Sequence, residues 1–99
     1  IREYIVQIVF ATREPQHHKL DHLKHLIAYG ASPRASIYLA MAARARAFID
    51  GRGYVIPDDV KDVAMDVMRH RVLITYEAEA EDVKAEDIVA TVLQTVDVP

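Results

Sequence analysis

The residues best suited to chemistry lie in the stretch YGASPRAS, positions 29 to 36. Ser32 is a good helix N-cap, and Pro33 fits the first helical position, where its missing N–H is not needed. Arg34 then falls in the first turn of a helix. The positive end of the helix dipole disfavours a cation there by a few tenths of a kcal/mol up to about 1 kcal/mol. Something else should therefore want the arginine in that place. A positive helix terminus joined to a guanidinium fork makes an anion site, with phosphate the natural ligand. The other reading is a surface arginine that folds back over Tyr38, one turn on, or pairs with a nearby acid. Gly30 is expected to supply backbone freedom just before the helix.

Three further clusters have residue types that do chemistry elsewhere. In HHKLDHLKH, His18, His22 and His25 would share one helical face with Asp21 adjacent, and imidazoles at i and i+4 can hold zinc. The segment is polar with little helical pattern, so solvated histidines are the better reading and no metal is expected. The run Arg69, His70 and Arg71 ends a helix, where cations complement the negative dipole end and also suit a subunit contact or an anion site. In YEAEAEDVKAED six carboxylates face the single Lys84, which reads as a solvated loop leading into a helix N-terminus. It lacks the loop spacing and glycine of a calcium site. No nucleophile turn, cysteine or GxxxxGK[ST] phosphate loop is present, so no catalytic residue is assigned within these residues.

The elements that must position these groups are helical almost throughout. Ile1, Tyr4, Ile5, Ile8 and Val9 recur at three- and four-residue spacing, predicting an amphipathic helix ended by Pro15. Residues 15 to 31 read as a connector with one short turn at LDHLKHLI. The longest helix is expected from Pro33 to Asp50, with alanines at 35, 40, 42, 43, 45 and 47 that let neighbours approach closely. Gly51 and Gly53 end it, and Pro57 opens a further helix to about residue 70 with the stripe Val60, Val63, Ala64, Val67 and Met68. A last helix, roughly 84 to 96, presents Ile88, Val89, Val92, Leu93 and Val96. The fold class expected is mainly α, a small bundle of four to five helices, with a two-stranded ribbon pairing IAY at 27–29 with YVI at 54–56.

Composition narrows the possibilities. The 99 residues are 52% hydrophobic, which suits one folded domain burying about two thirds of its unfolded surface. The net charge of −3 offers no overall field for nucleic acid, and none is expected as a partner. No apolar run approaches the roughly 20 residues that span a bilayer. The absence of cysteine fits a reducing compartment, and a cytoplasmic location is the expectation. The opening IREYIV lacks methionine and reads as mid-helix, so residues 1–99 are expected to be one domain cut from a longer protein.

Residues 29 to 72 resemble the C-terminal helical lid of MoxR-type AAA+ ATPases. In that family a GASPRA element is followed by an alanine-rich helix, a GR-x-YV-x-P-x-DV segment and an HR pair that ends the next helix. Here these are Gly30 to Ala35, Gly51 to Val60, and His70 with Arg71. Tyr4 and Ile5 also fit the lid's opening. The resemblance implies a lid folding over ATP and Mg2+ held mainly by a separate N-terminal α/β domain, which would carry the catalytic residues. Arg34 would be the second sensor, reaching the terminal phosphates, with Ser32 and Pro33 setting its position and Tyr4 or Ile5 near the adenine. Hydrolysis would belong to the whole protein, working as a homo-oligomeric ring in chaperone-like assembly or maturation of client proteins. A second reading stays open: GYVIPDDV between two helices also resembles histone-fold proteins, which dimerise without ATP.

Overall fold

In a computed structural model, which describes residues 1–98, the order of elements is α1 (Arg2–Arg13), β1 (Ile27–Tyr29), α2 (Ala35–Ile49), α3 (Pro57–Met68), β2 (Leu73–Ile74), α4 (Tyr76–Ala80) and α5 (Ala85–Thr95). The mainly α bundle expected from the periodicities is present. Its core is a single cluster in which Ile8, Leu39, Val60, Met68, Ile88 and Val92 are fully buried.

The alanine-rich face of α2 explains its closest partnership. Ala35, Leu39, Ala43 and Ala47 are buried against the Val60, Ala64 and Met68 stripe of α3, and small side chains let the two axes come together. Cross-contacts fix their direction. Arg46 meets Asp62 at 3.5 Å, whereas Tyr38, two turns earlier on α2, meets Arg71 beyond the end of α3. The two helices therefore form an antiparallel hairpin, and the C-terminal end of α3 lies beside the start of α2.

The connection of this hairpin is held by Arg52 and Asp59. Asp59 is buried, accepts the Ile56 N–H at 2.9 Å, and is hydrogen-bonded to the Arg52 guanidinium. The Ile56 amide bond, and then Arg52, hold the Asp59 carboxyl below the usual aspartate range against the opposing effect of burial. Gly51 takes the left-handed conformation, φ +81°, that ends α2.

Several expectations are corrected. Ile27–Tyr29 pairs antiparallel with Leu73–Ile74, not with residues 54–56. The latter lead straight into the α3 cap, where the Ile56 N–H is taken by Asp59 and Pro57 has none to give. The true ribbon is extended by Thr75, whose amide donates to the Leu26 carbonyl at 3.1 Å and whose hydroxyl donates to the His25 carbonyl at 2.8 Å. The acidic run is not simply a loop. Thr75 caps α4 through the Ala78 amide at 3.2 Å, and Ala78 packs into the core while the glutamates face outward.

The connector between α1 and α2 also differs from its expectation. It contains two 3-10 turns, Pro15–His18 and Asp21–Leu23, separated by Lys19 at φ 61°. His18, His22 and His25 consequently do not share a helical face. His25 pairs with Glu81 at 3.3 Å instead.

Candidate functional site

The start of α2 is built more tightly than capping by Ser32 would make it. No side-chain cap is formed there; the Ser32 carbonyl accepts the Ala35 N–H at 2.9 Å, and the Pro33 carbonyl accepts from Ser36 at 3.1 Å. These i to i+3 bonds make residues 32–36 a tight turn that runs into the α-helix. Arg34 sits at its N-cap with helical backbone angles, φ −63° and ψ −23°, one residue earlier than the regular helix. The Tyr38 amide returns to the Arg34 carbonyl at 3.3 Å.

What fixes the height of this turn is α1. Thr12, buried near the end of α1, accepts the Ala31 N–H at 3.0 Å and donates to the Val9 carbonyl at 2.7 Å. Arg13 adds a bond to the Ala31 carbonyl at 3.3 Å. Gly30 crosses the α1 backbone so closely that a Cβ would lie 2.3 Å from the Thr12 carbonyl oxygen. This glycine is needed for close approach, and not for the conformational freedom expected of it. Thr12 carried no motif signal, and only the geometry reveals its part.

Arg34 itself is exposed, and among the described residues no carboxylate lies within ion-pair distance of it. Nor does it cover Tyr38. That ring is occupied by Arg71, whose guanidinium carbon stands 4.8 Å from the ring centre. The neighbouring members of the basic run are engaged elsewhere: Arg69 reaches Asp66 at 3.5 Å and donates to His70 at 3.3 Å.

Beside the turn lies a cleft of about 560 Å3 between α1 and α2, lined by Ile5, Val6, Ile37 and Met41, with Arg2 and Arg44 among its walls. Sequence reasoning missed Arg2 and Arg44. The signal was present in the α2 spacing of Ile37, Met41 and Arg44, which puts them on one helix face. Ile5 thus borders the cleft. Tyr4 is 2% exposed, and its hydroxyl is buried without a hydrogen-bond partner. Burial, and then the charge of Asp58, push the Tyr4 phenol pKa upward.

Among the described residues, no three His, Cys, Asp or Glu side chains are grouped to hold a metal ion. No helix there is long and apolar enough to cross a membrane.

Comparison with known proteins agrees with this architecture. Residues 21–92 match the family model described as AAA lid domain. The chain is 47% identical over 97 residues to Chaperone MoxR1 of Mycobacterium tuberculosis, covering 98% of this chain and 26% of that protein. It is 37% identical over 79 residues to Protein MoxR of Methylorubrum extorquens, covering 78% of this chain and 23% of that one. A crystal structure of a candidate ATPase from Cytophaga hutchinsonii superposes with a TM-score of 0.95 at 44% identity, covering 99% of this chain and 30% of that one. The chain thus spans about a quarter of the length of its curated relatives. With the family model matching residues 21–92 and a MoxR relative 47% identical over a stretch that covers 98% of this chain, the chain belongs to the AAA lid domain family, as a lid of the MoxR type of AAA+ ATPase.

Proposed function

We propose that residues 1–99 form one lid domain of a longer AAA+ ATPase and sense its nucleotide through Arg34. The observation that carries this reading is an exposed guanidinium, without a counter-ion among the described residues, at a helix start that α1 pins from behind. Arg34 pays a dipole cost in the lid alone, and a terminal phosphate of ATP would reverse it. Loss of the γ-phosphate would then remove a contact that holds the lid closed, so hydrolysis becomes motion. Ser32 and Pro33 set the turn. Ile5, on the wall of the cleft, and Tyr4 behind it would stand on the adenine side.

Among its described residues the lid has no cluster of three His, Cys, Asp or Glu side chains, and Mg2+ would be held with the nucleotide mainly by the α/β domain of the same polypeptide. Catalytic residues belong there too. The name of one relative, Chaperone MoxR1, supports a chaperone-like role. In this reading the whole protein works as a cytoplasmic homo-oligomeric ring that couples ATP turnover to assembly or maturation of client proteins.

The test is ATP turnover by the intact ATPase carrying this lid, compared with its Arg34→Ala variant. Losing one charged hydrogen bond should lower turnover or ATP affinity by about tenfold or more, with folding unchanged. Equal turnover and affinity in the two proteins would remove Arg34 from the nucleotide site.

A further inference from the structure

The geometry points to Arg71 as a second phosphate-binding arm that acts beside Arg34, with Tyr38 as the residue that positions it. This rests on the sensor reading of Arg34 and extends it to a residue 37 positions away in the chain.

The antiparallel hairpin carries the argument. Because α3 runs back along α2, the residues that follow Met68 arrive at the start of α2 and not at its end. Tyr38 is the i+4 neighbour of Arg34, joined to it by the backbone bond at 3.3 Å. Residues at that spacing have Cβ atoms about 5–6 Å apart, and a helical side chain leans toward the N-terminal turn. The Tyr38 ring is therefore directed toward the turn that holds Arg34, and the Arg71 guanidinium lies on that ring at 4.8 Å.

Arg71 is also pre-set. One guanidinium nitrogen, Nη1, donates to the Val67 carbonyl at 2.8 Å, and the ring restricts the plane of the fork. An arginine has five N–H donors, and the bond to Val67 uses one of them. The side chain is exposed, and like Arg34 it has no carboxylate within ion-pair distance among the described residues. Its neighbours behave differently, since Arg69 is paired with Asp66 and bonded to His70. Two guanidinium groups without an ion-pair partner among the described residues, one on the Tyr38 ring and one on the turn that precedes it, at the positive end of a 15-residue helix, suit an extended polyanion. The triphosphate of ATP is the polyanion that the sensor reading already brings there. Arg34 and Arg71 would grip it from two elements of the hairpin, so that the phosphate chain clamps the start of α2 to the end of α3.

The experiment measures binding of fluorescently labelled ATP and AMP to the intact ATPase in five forms: wild type, Arg34→Ala, Arg71→Ala, Arg71→Lys and Tyr38→Leu. Arg71→Ala should weaken ATP by about tenfold and leave AMP, which lacks the distal phosphates, unchanged. Arg71→Lys should restore only part of the loss, because an ammonium supplies charge without the fork or the stacking. Tyr38→Leu removes the ring that holds the fork, and should weaken ATP less than Arg71→Ala does while leaving AMP unchanged; ATP binding equal to the wild type would remove the positioning role from Tyr38. If Arg71→Ala binds ATP normally while Arg34→Ala does not, the second arm is disproved and the sensor stands. Equal weakening of ATP and AMP by Arg71→Ala would make Arg71 a structural residue and also overturn the inference. Weakening of ATP alone by Arg71→Ala, with Arg34→Ala unaffected, would support the Arg71 arm and remove the sensor role from Arg34. No loss in either variant would overturn both.

Discussion

Thr12 and Ala31, 19 residues apart, are joined by a buried hydrogen bond of 3.0 Å from the Ala31 amide to the Thr12 hydroxyl. The same hydroxyl donates to the Val9 carbonyl at 2.7 Å, so both of its hydrogen-bonding roles are used inside the fold. The end of α1 thereby fixes the peptide three residues before Arg34. The sensor role proposed for Arg34 would need such a rigid base, because a contact made from a slack turn transmits no movement.

Replacement of Thr12 by valine keeps the shape but leaves the Ala31 N–H buried without an acceptor. The expected loss is about 1–3 kcal/mol of stability. Denaturant unfolding of the chain reads it directly, and Thr12→Ser, which keeps the hydroxyl, should recover most of the difference. A Thr12→Val protein as stable as the wild type would mean that this bond does not hold the turn.

Two glycines should respond to alanine for different reasons. Gly30→Ala places a methyl 2.3 Å from the Thr12 carbonyl oxygen, and backbone must shift on both sides, at a cost of about 1–3 kcal/mol or more. Gly53 has open space around its Cβ position and its φ is unremarkable, so Gly53→Ala should alter the unfolding midpoint little. If the two variants unfold alike, the tight crossing of α1 by residue 30 is not a constraint.

The long elements were legible because their apolar spacing is dictated by the core they face. Ile8, Leu39, Val60, Ile88 and Val92 stand where the helical period puts them, and all are fully buried. The SPRA and HR motifs were equally readable as motifs. Pairing was not readable: IAY at 27–29 is short enough to fit either YVI or Leu73–Ile74, and only the hairpin that carries β2 back decides the matter. Thr12 and Arg71 acquire their partners through chain crossings 19 and 33 residues long, which no local pattern records. The five-residue α4 was hidden for a related reason, since its alternating glutamates look solvated until Ala78 is seen to face the core.

Burial separates two large apolar residues on α2. Leu39 is fully buried, and Leu39→Ala should cost about 2–5 kcal/mol through lost transfer energy and the cavity left behind. Phe48 is 82% exposed, and Phe48→Ala should change the stability of the chain by no more than about 0.5 kcal/mol. Thermal or urea unfolding of the two variants checks both. A large loss for Phe48→Ala would show that this ring packs against something within the chain.

The Arg52–Asp59 pair gives the hairpin connection a defined pH dependence. The Asp59 carboxyl is held below its ordinary range, first by the Ile56 N–H and then by Arg52. A group whose pKa is depressed by folding contributes stability above its unfolded value, about 3.9 for aspartate, and loses it as the pH falls through the folded value. The wild type should therefore exceed Asp59→Asn in unfolding midpoint near neutral pH, because asparagine can still accept from Ile56 but offers Arg52 no charge. Below about pH 4 the gap should narrow, since the wild-type carboxyl is then protonated in the unfolded chain and progressively in the folded one. Unfolding midpoints of both proteins across that range decide it. A gap of constant size down to about pH 2 would mean that the negative charge of Asp59 contributes nothing, and that its shape and hydrogen bonds alone secure the start of α3.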